Sequence, residues 1–216
     1  MLLSTKEQQE INELARQFEA ASGAQTVAAV VGKADDYPDI PWKAFALGAG
    51  LAAPAVVADE FINPDWASIH APLRDAAAIL AAGVLCALAA AFVPGLGRLF
   101  LNRERAATEV RQYAEGISLQ RELFRTHDRI GMLIMVCRFE RKVVILPDTG
   151  IARYLSRDDL DTAIAAMTPR LAQWQAVDAF RAGFDVLAAT LARHNFHPQT
   201  HGNELADGAI VEAGAA

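Results

Sequence analysis

Several acidic residues flank the predicted strands in positions suited to binding a divalent cation. Asp128 precedes the most apolar run of the chain, and Asp148 follows the next apolar run. Because two such runs around a short charged turn predict adjacent antiparallel strands, we expect these two carboxylates at the same edge of the sheet. Calcium and magnesium ions bind carboxylate and backbone carbonyl oxygens. The sequence therefore predicts a calcium or magnesium site at this edge, with the candidate ligands Asp128, Asp148, Asp158 and Asp159.

The same carboxylates also have a purely structural interpretation. Asp158 and Asp159 follow Ser156 and favour the start of a helix, where negative charge is stabilised. Asp148 is of a residue type that is common in turns. From the sequence, both interpretations stand.

The other reactive side chains give weaker signals. His194, His197 and His201 have the spacing of a zinc or nickel site, but a proline and a glycine interrupt any helix that would align them. Cys86 and Cys137 lie in apolar runs, and we expect buried small side chains rather than a disulfide. We assign no catalytic residue from the sequence. A further acidic group follows the two predicted parallel strands, where open α/β sheets commonly bind ligands: Asp35, Asp36 and Glu140.

Two uncharged segments separate the first predicted strand from the later ones. Residues 44–58 are apolar, and residues 76–97 carry no charge. A membrane helix needs about 20 apolar residues, which the second segment has. The first segment would span about 22 Å as a helix, and Trp42 and Lys43 can extend it. With the polar loop 59–75 between them, we expect a transmembrane helical hairpin; a pair of buried, alanine-rich core helices is the alternative.

Residues at the ends and on the faces of these segments also favour a membrane. Small residues four positions apart, which let membrane helices approach closely, occur as Gly48 with Ala52 and as Gly83 with Ala87. Aromatic residues lie near the segment ends, as in the belts at membrane surfaces: Trp42, Phe61, Trp66 and Phe100.

Basic residues predict the orientation of the hairpin. The connecting loop contains Arg74 alone, whereas several basic residues lie near the outer ends. Under the positive-inside rule, both flanking segments are then cytoplasmic, in a bacterial inner membrane, and the loop lies on the other side. The basic residues near the outer ends are Lys33, Lys43, Arg98, Arg103, Arg105 and Arg111.

The order of elements predicts a small α/β/α sandwich with an inserted two-helix transmembrane hairpin. The first strand and the strand at 131–139 are expected to be parallel, joined through the helix at 102–126, and the strand at 142–146 antiparallel to its neighbour. A helix from Ser156 to about Met167 and another from Thr168 complete the pattern. The predicted parts are residues 1–40 and 102–200 for the α/β domain, 41–101 for the hairpin, and 201–216 for a flexible tail.

Composition limits the partners. The net charge of −6 makes a general attraction to nucleic acid unfavourable, so we expect no nucleic-acid partner. The turn at 140–142 is charged but too short to be a basic patch. The expected partners are the lipid bilayer and other membrane or envelope proteins.

Three stretches resemble the TPM-domain family. They are "DRIGMLIMVCRFERKVVILPDTGI" at 128–151, "ADDYPDIP" after the first strand, and "NELAD" at 203–207. The resemblance spans residues 5–207 and is greatest to the bacterial branch that carries transmembrane segments. It implies an α/β sandwich, a membrane or envelope location and, in some members, divalent-cation binding.

The chain departs from the family pattern at the expected cation site. Many soluble members carry Asp-Asn-Gly before the second strand, where this chain has Arg129, Ile130 and Gly131. After the third strand, Gly150 is kept, but Ala152 replaces the acidic residue of the family. The resemblance implies a binding or assembly module, with a metal-dependent phosphohydrolase as the alternative because phosphatase activity has been proposed for plant relatives.

Overall fold

The protein contains a four-stranded mixed sheet. The computed structural model describes residues 2–63, 70–196 and 208–214. The strands lie in the order β3-β2-β1-β4, with β1 parallel to both β2 and β4 and β2 antiparallel to β3. The predicted pairing of the first three strands is thus confirmed. Their bounds are Gln25–Lys33 (β1), Gly131–Cys137 (β2), Lys142–Pro147 (β3) and Ile210–Gly214 (β4).

Seven α-helices accompany the sheet in the described part of the chain. Two of them, α2 and α3, are the long apolar helices expected from the sequence, and the short α4 follows directly after α3. The bounds are Thr5–Ser22 (α1), Asp39–Ile62 (α2), Ala71–Phe92 (α3), Pro94–Gly97 (α4), Arg103–Gln120 (α5), Arg157–Ala172 (α6) and Ala176–Arg193 (α7).

The two faces of the sheet are covered unequally. On one face, side chains of α1, α6 and α7 form a large apolar core with alternate residues of β1 and β2. On the other face, α5 supplies Val110, Ala114 and Ile117 to a smaller core. Because both faces are covered, β2 is buried along its whole length, which explains its continuous apolar sequence.

Local capping signals in the sequence are confirmed. Ser4 and Glu7 form a capping box at the start of α1, and Gly23 ends that helix in the left-handed conformation, with φ 76°. Ser156 and Asp159 form a second capping box at the start of α6.

The predicted helix boundary at Thr168 is wrong. Helix α6 continues through Pro169 to Ala172. A proline removes one backbone hydrogen bond from a helix, but side chains satisfy neighbouring carbonyls here. The Thr168 hydroxyl donates to the Ile164 carbonyl at 2.7 Å, and the Arg170 guanidinium donates to the Ala166 carbonyl at 2.7 Å.

The prediction of a flexible tail over 201–216 is also wrong in part. Residues Ile210–Gly214 form β4, which pairs with β1 from Ala29 to Lys33. Contacts with α1 hold the approach to this strand, since the Gln8 side chain donates to the Ala209 carbonyl at 2.9 Å. Residues 203–207, which carry one part of the family resemblance, lie outside the described residues.

The chain divides into two units. The α/β unit comprises Met1–Asp35 and Glu104–Ala216, and the hairpin unit comprises Asp36–Arg103. The hairpin unit contains α2 and α3. Both helices extend into the segment 59–75, which the sequence predicted to be a loop. An ion pair between Arg74 and Glu60, at 2.9 Å, links the facing helix ends and stabilises this extension.

Candidate functional site

The hairpin unit exposes many large apolar side chains. All but three of the large exposed apolar side chains among the described residues belong to this unit; the others are Leu119, Phe124 and Tyr154. Burying one such side chain is worth about 1.5–3 kcal/mol. The whole set therefore represents more free energy than the about 5–15 kcal/mol that stabilises a typical domain. Exposed apolar surface of this extent is typical of helices that lipid or another protein covers.

Both long helices satisfy the requirements of a membrane span. The most apolar 18-residue stretch of α2 has a mean hydropathy of 1.5, and 6% of it is buried. The corresponding stretch of α3 has a mean hydropathy of 2.1, and 11% of it is buried. Core helices of water-soluble proteins pass the same length and composition test, but they are mostly buried. The low burial of α2 and α3 therefore argues against the alternative of a buried alanine-rich pair.

Glycines hold the two helices together. A Cβ atom at Gly48 of α2 would lie 2.7 Å from both the Ala82 carbonyl oxygen and the Cys86 Sγ of α3. A Cβ atom at Gly83 of α3 would lie 2.7 Å from the ring of Phe45 on α2. Since real Cβ contacts are not this short, a larger residue at Gly48 would require the α3 backbone to shift, and one at Gly83 would require the Phe45 ring to shift.

Charged residues mark both ends of the hairpin. At the loop end, Arg74 pairs with Glu60 at 2.9 Å and with Asp75 at 3.1 Å. At the other end, Lys43 pairs with Asp39 at 2.6 Å and donates to the Phe100 carbonyl at 3.3 Å. The uncharged part of α2 between these ends is about 22 Å long, which is shorter than a hydrocarbon core of about 30 Å.

A cleft of about 460 Å³ lies between α2 and α3 at the loop end. Its walls are mainly apolar, from Val56, Val57, Phe61 and Ile79 among others, and Glu60 and Asp75 supply the carboxylates. Both carboxylates are already engaged by Arg74.

An ion pair joins the two segments of the α/β unit at the points where the chain leaves this unit and returns to it. The Arg105 guanidinium at the start of α5 donates to Asp35, just after β1, at 2.7 Å. Asp35 and Arg105, which flank the hairpin unit in the sequence, therefore lie side by side.

The carboxyl ends of β1 and β2 are joined by polar contacts. Glu140 is buried and accepts the Ala34 N–H at 2.8 Å, which ties the β2–β3 turn to the end of β1. The turn also donates from the Arg138 and Phe139 backbone N–H groups to carbonyls of β1, each at 2.9 Å. Two members of the predicted acidic group, Asp35 and Glu140, thus have structural contacts, and Asp36 begins the hairpin unit.

The opposite edge contains Asp148, the central residue of the predicted cation site. The Asp148 carboxylate is only 13% exposed and receives Arg129 through two contacts, Nη2 to Oδ1 at 3.0 Å and Nε to Oδ2 at 2.8 Å. The Thr149 N–H also donates to Oδ1, at 2.6 Å. The guanidinium therefore supplies the positive charge that a bound cation would otherwise provide.

The other three predicted ligands differ in their contacts or positions. Asp128 contacts His127 at 3.3 Å. Asp159 accepts from Ser156 in the capping box, and this bonding lowers its pKa from the ordinary value. Asp158 stands in the first turn of α6. Among residues 2–63, 70–196 and 208–214, no group of three or more His, Cys, Asp or Glu side chains is arranged to hold a metal ion. The contacts of these carboxylates are those of the structural interpretation, and the calcium or magnesium site stays a prediction from the sequence.

The predicted histidine site lies only in part within the described residues, and the two cysteines differ in their exposure. His194 ends α7 and lies 3.8 Å from Asp159, whereas His197 and His201 are outside the described residues, as is Trp66. Cys137 is buried in β2, and burial raises the pKa of its thiol, so it is unreactive as expected. Cys86 is exposed on α3, contrary to the expectation of burial.

One polar pair was not found from the sequence. The Tyr113 hydroxyl of α5 donates to Glu212 of β4 at 2.8 Å. Burial, followed by this hydrogen bond, raises the pKa of Tyr113 to about 12. Since the pair depends on β4, the short apolar run "AIV" at 209–211 was the available signal.

The comparisons with known proteins concern the fold. The chain is similar to the BA42 protein from the psychrophilic bacterium Bizionia argentinensis, known from an NMR structure, with a TM-score of 0.56 and 14% sequence identity over 97% of this chain and 94% of that chain. No protein-family model matches the chain, and no curated protein matches it. The similarity supports a shared mixed α/β fold.

Proposed function

We propose that the protein is a membrane-anchored binding or assembly module of the TPM type. In this proposal, α2 and α3 cross the bacterial inner membrane as a hairpin, and the α/β unit faces the cytoplasm and binds another membrane or envelope protein. The observation that carries the proposal is the exposure of two long apolar helices that are almost unburied.

Charge supports the orientation. Six basic residues lie near the outer ends of the hairpin, whereas Arg74 is the one basic residue in the segment 59–75. The positive-inside rule then favours a cytoplasmic location for both flanking segments.

The α/β unit also offers a surface for a protein partner. On the face of the sheet covered by α5, the side chains of Val144 and Leu146 are only partly buried. Leu119 and Phe124, which follow buried positions of the same cluster, are 67% and 40% exposed. In this proposal, these apolar side chains are the candidate contacts with a protein partner.

The topology is tested by cysteine labelling in intact cells. In a chain with Cys86→Ser, a membrane-impermeant maleimide should label His70→Cys from the periplasm and should not label Arg121→Cys until the cells are opened. Labelling of Arg121→Cys in intact cells, or of His70→Cys only after lysis, would overturn the orientation.

The assembly role is tested by site-specific photocrosslinking in native membranes. A photoreactive residue at Leu119 should give a discrete crosslinked product. The same residue at Lys6, which is exposed on α1 at the other face of the sheet, is the matched control and should not give it. Equal products at both positions, or none at either, would contradict a partner surface beside α5.

The contacts give less support to the alternative, a metal-dependent phosphohydrolase. Its central carboxylate, Asp148, is held by Arg129. Hydrolysis of a generic phosphate ester with added magnesium, abolished by Asp148→Asn with the fold intact, would favour the enzyme over the assembly module.

A further inference from the structure

We infer that the cleft at the loop end of the hairpin binds a lipid whose headgroup carries a primary ammonium, such as phosphatidylethanolamine. The inference rests on the membrane anchoring proposed above and deepens it, because it assigns one class of lipid to a defined place on the hairpin. The cleft lies wholly within the hairpin unit, between α2 and α3.

The cleft opens where larger residues take the place of glycines along the two helices. Gly48 and Gly83 mark a close approach of α2 to α3. Toward the loop end, the side chains between the helices are larger and include Val56 and Ile79. The cleft there has a volume of about 460 Å³. This volume is within the range of about 300–1,000 Å³ that is usual for small-molecule sites.

The polarity of the walls changes along the cleft in the same direction in both helices. Val56 lies four residues before Glu60 in α2, and Ile79 lies four residues after Asp75 in α3. Four helical residues rise by about 6 Å. Each carboxylate therefore lies about one turn nearer the loop end than the apolar side chain on its own helix. This order matches an amphiphile whose headgroup lies at the carboxylates and whose acyl chain lies along Val56 and Ile79.

The charge at the loop end of the cleft favours a cationic headgroup. Arg74 contacts one oxygen of each carboxylate, Oε1 of Glu60 at 2.9 Å and Oδ1 of Asp75 at 3.1 Å. Two carboxylates and one guanidinium leave an excess of one negative charge at these three residues. The side chains of Glu60 and Asp75 are 35% and 22% exposed, so a headgroup can reach them. A carboxylate accepts about four hydrogen bonds through its two oxygens, and a primary ammonium donates three.

The same chemistry separates the common membrane lipids. The quaternary ammonium of phosphatidylcholine has no N–H group to donate, and two carboxylates repel the anionic headgroup of phosphatidylglycerol. A membrane lipid is favoured over a soluble amine because of where the cleft lies. If α2 and α3 cross a bilayer, their loop ends lie at the depth where headgroups meet acyl chains.

Native mass spectrometry of the full-length protein released from nanodiscs tests the inference. The discs contain equal amounts of phosphatidylethanolamine, phosphatidylcholine and phosphatidylglycerol. Lipid retained by the native chain should be enriched in phosphatidylethanolamine about fivefold, the factor that corresponds to about 1 kcal/mol for a partly exposed charged pair. Glu60→Gln should lower this enrichment. Asp59→Asn is the matched control, because Asp59 contacts Asn63 and does not line the cleft, and it should leave the enrichment unchanged.

A second pair of variants fills space without changing any charge. Ala76→Phe places a ring in the cleft and should reduce the retention of phosphatidylethanolamine. Ala77→Phe adds the same ring at an exposed position of α3 outside the cleft lining and should not. Melting temperatures in detergent check that all four variants fold.

The outcomes separate the lipid site from the membrane anchor. Equal retention of the three lipids, or the same loss in a variant and its control, would overturn the inference. If the protein also comigrates with the discs, the anchor stands. Failure of the native chain to comigrate with the discs would overturn both the anchor and the lipid site.

Discussion

Gly83 of α3 lies against the ring of Phe45 on α2, so closely that a Cβ atom at this position would be 2.7 Å from the ring. Gly48 of α2 makes the reciprocal approach to Ala82 and Cys86 of α3. The hairpin is thus a packed pair of helices with a glycine at the closest approach of each helix to the other, and most of its remaining surface is exposed.

Substitution of Gly48 tests this packing. Gly48→Ala places a methyl group against the Ala82 backbone, so we expect a loss of about 1–3 kcal/mol in the stability of the hairpin. Gly50→Ala is the control on the same helix, because no atom lies within 4 Å of a Cβ atom there. Thermal unfolding in detergent micelles should show a lower midpoint for Gly48→Ala alone. Equal midpoints would show that the close approach is not formed.

Removal of the hairpin tests the independence of the α/β unit. Because Arg105 and Asp35 bring the two chain ends together, joining Asp35 to Glu104 through a short glycine-serine linker should give a folded, detergent-free protein. Circular dichroism and gel filtration measure the result. Adding Arg105→Ala to this shortened chain should lower its stability by at most about 1 kcal/mol. An aggregated product would contradict the two-unit description.

The ion pair of Arg129 and Asp148 should stabilise the protein without a metal. We expect Arg129→Ala to cost about 1–2 kcal/mol, because it leaves a largely buried carboxylate without its main partner. A double-mutant cycle with Asp148→Asn measures the coupling. Calcium or a chelator should not change the unfolding midpoint of the native chain. A midpoint that rises with calcium would contradict this account and support the cation site predicted from the sequence.

The pair of Tyr113 and Glu212 predicts a loss of stability at alkaline pH. The pKa of Tyr113 is raised from 10.0 to about 12 in the folded protein. Between these values the unfolded chain releases a proton that the folded chain retains, so stability falls as pH rises through this range. Phenolate absorbance during an alkaline titration should lose its step near pH 12 in Tyr113→Phe. In Glu212→Gln that step should move toward pH 10; an unchanged step would contradict the assigned contact.

Much of the fold was predictable because it depends on local patterns. The capping boxes at Ser4 and Ser156 and the apolar runs of β1 and β2 are read within a few residues of one another. The parallel pairing of β1 with β2 follows from the intervening helix, and the hairpin follows from length and hydropathy.

The candidate site was less predictable because it depends on backbone geometry and distant partners. Asp128 and Arg129 both have positive φ values, 58° and 57°, which their residue types do not predict. That geometry accompanies the pairing of Arg129 with Asp148 across 19 positions. Strand β4 is five residues long and pairs with a strand near the other end of the chain, so its short apolar run did not predict it.

Membrane fractionation of two matched variants tests the anchor most directly. Leu85 on α3 and Leu119 on α5 are both leucines that are 67% exposed. Arginine near the centre of a membrane helix costs about 2.5–3.5 kcal/mol of insertion free energy, whereas arginine on a water-exposed surface costs little. After carbonate washing and high-speed centrifugation, the native chain and Leu119→Arg should remain in the membrane pellet, and Leu85→Arg should be partly released. Recovery of the native chain in the supernatant would contradict the membrane anchor.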